Sequence, residues 1–123
     1  MNRVLYTEFH PTIAANMNNL AMVLHDAGEL KTAESMYREV IIARRKTLGE
    51  DHPDVALALN NLAFLLYDRS DLAGAIAMQR DTVAMLRRAF PDGHPNLAVS
   101  VGTLGSWLTD AEQYREADPL LQE

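Results

Sequence analysis

Apolar residues recur along this chain at helical intervals and in matched sets. Met17, Leu20, Ala21 and Leu24 stand at i, i+3, i+4 and i+7; Leu59, Leu62, Ala63 and Leu66 repeat the pattern, and Val101, Leu104, Gly105 and Leu108 repeat it again. That spacing puts each set on one side of an α-helix and predicts a buried stripe. A second stripe runs through Leu30, Ala33, Tyr37, Val40 and Ile41 and is echoed by Leu72, Ala75, Ile76 and Val83. Two amphipathic helices therefore make one unit.

Equivalent sets lie 42 residues apart. His10-Pro11, His52-Pro53 and His94-Pro95 keep that interval, and residues 10–51 slide onto 52–93 without a gap to give 14 identities, where ordinary composition gives about two or three. Self-similarity at one fixed period is the mark of a solenoid, in which each unit buries its apolar face against its neighbours. Residues 10–51 and 52–93 read as two full units, 94–123 as a truncated third, and 1–9, with Leu5 and Tyr6 aligned near Leu48, as the tail of a preceding helix. The expectation is one all-α repeat domain over 1–123.

The punctuation fits this division. Proline at a first helical position gives up an N–H that has no partner there, while the residue before it is pushed out of helical geometry, so each His-Pro closes one helix and opens the next. Asp54 follows in the first turn, where the helix dipole favours an anion. Between the two helices of the first unit, Ala27-Gly28-Glu29 offers a glycine for a left-handed turn; Ser70 and Glu112 stand in its place later, which predicts poorer turns. Ala21 and Ala33 recur as Ala63 and Ala75, then as Gly105 and Ala117, small residues that let packed helices approach closely.

These residues resemble tetratricopeptide repeats of the kinesin-light-chain type, with a 42-residue unit. The resemblance covers Phe9 to Glu123 and rests on Asn-Asn-Leu-Ala at 18–21 and 60–63, Glu34 after Ala33, and Thr47-Leu48-Gly49-Glu50-Asp51-His52-Pro53. It implies an α-solenoid of antiparallel helical hairpins, part of a right-handed superhelix, whose first helices line a concave groove that receives a peptide. Carried over, the groove residues are Asn18, Met22, His25, Asn60, Phe64 and Tyr67. In the third unit Gly102, Thr103 and Ser106 depart from the pattern. Relatives that bind acidic peptides use basic residues of the second helices; Arg44, Lys46 and Arg88 match such sites, whereas Arg45 and Arg87 stand where an acidic residue is commoner and Leu86 replaces an expected arginine.

Two adjacent asparagines are unfavourable inside a helix, and their recurrence calls for a reason beyond propensity. Periodicity assigns Asn18 to the groove side and Asn19 to the interface, where one of the pair can clasp the neighbouring unit. Trp107, in the place of Leu65 and Val23, is expected to pack between helices.

Charge and chemistry then narrow the function. Seventeen acidic residues against 11 basic give a net charge of −6, which repels phosphate backbones and argues against nucleic acid. The chain has no cysteine, hence no disulfide, thiolate nucleophile or thiolate ligand, and a cytoplasmic location is the default. No apolar run approaches the roughly 18 residues of a membrane helix, and the first residues do not read as a signal peptide. The histidines before proline are not expected to be a metal set: equivalent sites of successive units are expected two helix diameters apart, about 16 to 20 Å, whereas zinc ligands converge to about 2 Å. Ser35, Ser70, Ser100 and Ser106 lie outside any nucleophile motif, His25-Asp26 is a lone pair, and there is no phosphate-binding glycine loop. The expected function is a non-enzymatic scaffold for a protein or peptide, without cofactor or metal. A second reading is a structural or self-association segment, a homo-oligomer formed through the truncated last unit with its Leu120 and Leu121.

Overall fold

The computed structural model of the chain describes residues 11–117. His10, Leu5 and Tyr6 of the expected preceding helix, and Leu120 and Leu121, lie outside the described residues. Five helices follow one another: α1 (Pro11–Asp26), α2 (Leu30–Leu48), α3 (Pro53–Asp68), α4 (Leu72–Ala89) and α5 (Pro95–Ala117), with no strand among the described residues. Each helix packs on the next in sequence, and α1 also touches α3.

The histidines open the helices by a route that periodicity alone does not show. His52 is extended and caps α3, its Nδ1 accepting from the Asp54 amide at 3.0 Å, with Pro53 as the first helical residue. His94 does the same for α5, accepting from the Asn96 amide at 3.0 Å. An imidazole nitrogen thus satisfies one of the amides a helix start leaves unpaired, the task usually given to Ser, Thr, Asn or Asp.

The hairpin turns are alike. Gly28 has φ +89° and Ser70 φ +68°. The Glu29 amide reaches back to the Leu24 carbonyl, and the Asp71 amide to that of Leu66, both at 2.8 Å. This is the six-to-one bond of a helix-ending left-handed turn. Serine reaches a conformation that glycine occupies without strain, so the second turn keeps its shape at some cost. The third expected turn is absent: α5 runs unbroken through Glu112 to Ala117. Glutamate is a good helix former with no left-handed preference, and helix continuation wins at that position.

The core sits in the middle of the stack. Leu59, Leu62, Ala63 and Leu66 of α3 are all buried, as are Ala33, Tyr37, Val40 and Ile41 of α2 and Ala75 and Val83 of α4. Ala21, Ala33, Ala63 and Ala75 have no exposed surface, in keeping with close approach at the helix crossings. The outer units are less covered than their sequence stripes imply. Leu20 of α1 and Val101 and Leu108 of α5 are exposed, although their α3 equivalents are buried. A first helix of this kind needs neighbours on two sides, and only α3 is flanked by described units on both.

Candidate functional site

The exposed face of the first helices is one continuous stripe. On α3 it carries Asp54, Leu57, Phe64, Tyr67 and Asp68, with Asn60 and Asn61 half-buried between them; on α1 Met22 and Asp26 are exposed beside a half-buried His25. Side chains at these offsets lie on one side of a helix, opposite the Leu59–Leu66 stripe. Of the six groove residues expected, Met22, Phe64 and Tyr67 are exposed, Asn60 and His25 are partly exposed, and Asn18 is buried.

Asn18 serves the seam between units. Its Oδ1 accepts from Asn61 Nδ2 at 3.3 Å, and its own Nδ2 points to the Met22 sulfur at 3.8 Å. The first asparagine of one unit and the second of the next therefore form the clasp, while Asn19 is exposed on the opposite side. Asn18, expected on the groove side, is therefore at the interface, and Asn61, the counterpart of Asn19, meets it there. The contact also corrects the expected separation: successive first helices are direct neighbours, one helix diameter and not two apart.

Two more bonds repeat that step of 43 residues. His25 Nε2 meets Asp68 Oδ2 at 2.6 Å, and Tyr67 Oη donates to Asp110 Oδ2 at 3.2 Å. His25 aligns with Tyr67, and Asp68 with Asp110. α1 and α3 thus each offer a polar hydrogen from their last turn to the equivalent aspartate of the following first helix, Asp68 at the end of α3 and Asp110 inside α5. The lone pair read in the sequence as His25-Asp26 is in fact a link to the next unit.

An aromatic cluster lies between α3 and α5. Trp107 is buried, stacks on Tyr67 with ring centres 5.0 Å apart and planes 11° from parallel, and meets Phe64 edge to face at 5.1 Å and 74°. Nearer the helix starts, a cleft of about 120 Å³ opens between Leu57 and Asn60 of α3, Leu86 of α4, and Asn96 and Val99 of α5. Ligand pockets for small molecules run from about 300 to 1,000 Å³, so this cleft suits a single side chain better than a cofactor. Leu57 and Val99, both exposed, were missed by sequence reasoning. Their signal was legible, since both stand three residues before the first asparagine position of their units.

The cations expected to meet an acidic partner lie elsewhere. Arg44 is buried between α2 and α3 and donates from Nη1 to the Asp54 carbonyl at 2.9 Å. Burial pulls its pKa down, and the nearby Asp54 carboxylate pushes it back up. Arg88 pairs with Asp51 at 2.9 Å, while Lys46 is exposed in the last turn of α2. Arg38 and Arg69 both contact Glu34. Two of the three named residues are therefore engaged within the fold. No group of three or more residues suited to a metal ion occurs among the described residues.

Two helical hairpins and a fifth helix on a constant step define an all-α repeat scaffold among the described residues. The tetratricopeptide repeat profile matches residues 12–88 and again 54–123, and the chain belongs to that family. Twenty-six solved chains match it. One is the crystal structure of nearly identical TPR-like repeats from a Podospora anserina chain designated a kinesin light chain, with a TM-score of 0.73 and 22% identity. The match takes in 89% of the present chain, which spans about half, 52%, of that one. No curated protein sequence matches. Tetratricopeptide repeats are generally protein–protein interaction modules, typically without enzymatic activity. No helix among the described residues is long and apolar enough to cross a membrane.

Proposed function

We propose that the chain binds an extended peptide segment of a partner protein along the exposed face of its first helices, which is the concave side of the solenoid. One observation carries the reading: Met22 and Phe64, at equivalent positions of successive units, remain 44% and 40% exposed, and Tyr67 39%, while Leu59, Leu62 and Leu66 on the other side of α3 are buried. Exposed aromatic and methionine side chains in a row are interface residues in waiting. Asn60 beside them supplies both a donor and an acceptor for a peptide backbone, and Leu57 and Val99 offer a cleft of one side chain's size. A cysteine-free chain of this kind is at home in the cytoplasm.

An array of random peptides of about eight residues tests the reading, that length being what ~3.3 Å per residue needs to cross three helices packed ~8 to 10 Å apart. Binders should weaken about tenfold with Phe64→Ser, in line with loss of a central interface aromatic, and should be indifferent to Ile42→Ser on α2. The reverse ranking, or no binder from a folded chain, sinks it.

A second reading, self-association, is favoured by α5. Val101 and Leu108 are 39% and 37% exposed, whereas their equivalents Leu59 and Leu66 are 2% and 5% exposed under α4. The apolar face that α3 buries is exposed there. Sedimentation that shows a monomer at every concentration argues against this reading.

A further inference from the structure

Charge is unequally divided between the two kinds of helix. α2 and α4 together carry eight lysines and arginines against three carboxylates. α1, α3 and the Pro95–Asp110 part of α5 carry Asp26, Asp54, Asp68 and Asp110 and no lysine or arginine. Those aspartates are not scattered: Asp54 and Asp68 lie on the same stripe as Leu57, Phe64 and Tyr67, and Asp26 and Asp110 occupy the position of Asp68 in the units on either side. Two of them also meet side chains of the preceding first helix, Asp110 the Tyr67 hydroxyl and Asp68 the His25 imidazole.

From this we infer that the occupant of the proposed groove is a cationic peptide segment, with lysine or arginine flanking an apolar anchor residue. The inference rests on the peptide-binding reading above and adds the chemistry of the partner. Three features of the face agree on it. The apolar anchor has the Leu57–Val99 cleft, the flanking cations have the carboxylates of Asp26, Asp68 and Asp110 at equivalent positions of successive first helices, and the C-terminal dipoles of α1 and α3 add negative potential at the same edge. Between cleft and carboxylates stand the partly exposed rings of Phe64 and Tyr67, braced by Trp107, and a guanidinium or ammonium over such a ring is attracted by its face. An acidic peptide would meet four carboxylates and no cation on this face. Of the three second-helix cations expected to meet an acidic partner, Arg44 is buried on a backbone carbonyl and Arg88 is paired with Asp51, which leaves Lys46.

The experiment uses the full chain and three synthetic peptides of about nine residues that share a Leu and a Phe at fixed positions and carry lysine, serine or glutamate at all the others. Fluorescence anisotropy should find the lysine peptide about tenfold or more tighter than the glutamate peptide, with the gap closing between about 0.05 and 0.5 M salt. Asp110→Asn and Asp68→Asn should each weaken the lysine peptide by about threefold or more, while Asp81→Asn on α4 removes the same charge from the other face and should change binding less than twofold. Circular dichroism of the variants separates lost binding from lost fold, and the salt dependence of the unaltered chain stands if a variant unfolds. Equal or tighter binding of the glutamate peptide overturns the cationic partner and leaves the groove intact. An Asp81→Asn effect as large as that of Asp68→Asn reduces the attraction to net charge and overturns it too. If no peptide binds, the groove itself is wrong.

Discussion

Asn61 donates its side-chain amide to the Asn18 carbonyl oxygen at 3.3 Å, joining the first helices of successive units through the two positions of one repeated dipeptide. Asn18 is 5% exposed, so either partner left alone has a polar group with little water to turn to. Asn18→Ala should cost about 1 to 2 kcal/mol, and a double-mutant cycle with Asn61→Ala should return a coupling of about 0.5 to 1 kcal/mol in urea unfolding. Strict additivity would show that the two amides do not interact.

Position 63 and position 105 occupy the same place in the repeat but have opposite surroundings. Ala63 has no exposed surface, whereas a Cβ added at Gly105 meets nothing within 4 Å. Ala63→Leu should therefore destabilise by about 1 to 3 kcal/mol through overpacking, and Gly105→Ala should stabilise by about 0.5 to 1 kcal/mol through helix propensity. Thermal melts of the two variants that move in the same direction would contradict this assignment.

Ser70 and Glu112 both align with Gly28, yet only Ser70 turns the chain. Ser70→Gly should stabilise by about 0.5 to 1 kcal/mol as left-handed strain is relieved, less the entropy that glycine adds to the unfolded chain. Glu112→Gly should instead weaken α5 by about 1 kcal/mol and lower the backbone chemical-shift helicity of the residues after it. An unchanged helicity profile in that variant would mean that α5 does not run through Glu112 in solution.

The Tyr37 phenol gives up its proton at higher pH than a solvated one. Burial, and to a lesser degree the Asp26 carboxylate, push its pKa up from 10.0 to about 12. The folded state therefore holds the proton more tightly than the unfolded state; the associated stability is intact below about pH 10 and is lost as pH rises toward about 12, at most about 2 to 3 kcal/mol. Tyr37→Phe should flatten that part of the stability profile relative to the unaltered chain. Parallel declines in the two proteins would place the loss in other groups.

Most of the scaffold was legible because helix periodicity, proline placement and an ungapped repeat all point to the same hairpins. Leu59, Leu62, Ala63 and Leu66 could be assigned to the core from spacing alone. Leu20 and Val101 were expected in the same buried stripe and are exposed, because exposure depends on which neighbours flank a helix and not on its own pattern. The capping role of His52 was hidden since its residue type is seldom a cap, and the turn expected near Glu112 failed where local helix propensity prevailed. In the candidate site, Met22, Phe64 and Tyr67 were named through the family resemblance, and the structure shows them exposed. The burial of Asn18 and the 43-residue links His25–Asp68 and Tyr67–Asp110 needed the register between units, which a single helix does not encode.

The account depends most on which face of the solenoid a peptide touches. Amide chemical-shift mapping of the full chain, titrated with the lysine-flanked Leu–Phe peptide, reads that face directly. Shifts concentrated at Met22, Asn60, Phe64, Tyr67 and the Trp107 indole are the predicted result. Shifts concentrated on α2 and α4, around Lys46, Arg80 and Arg87, would contradict it.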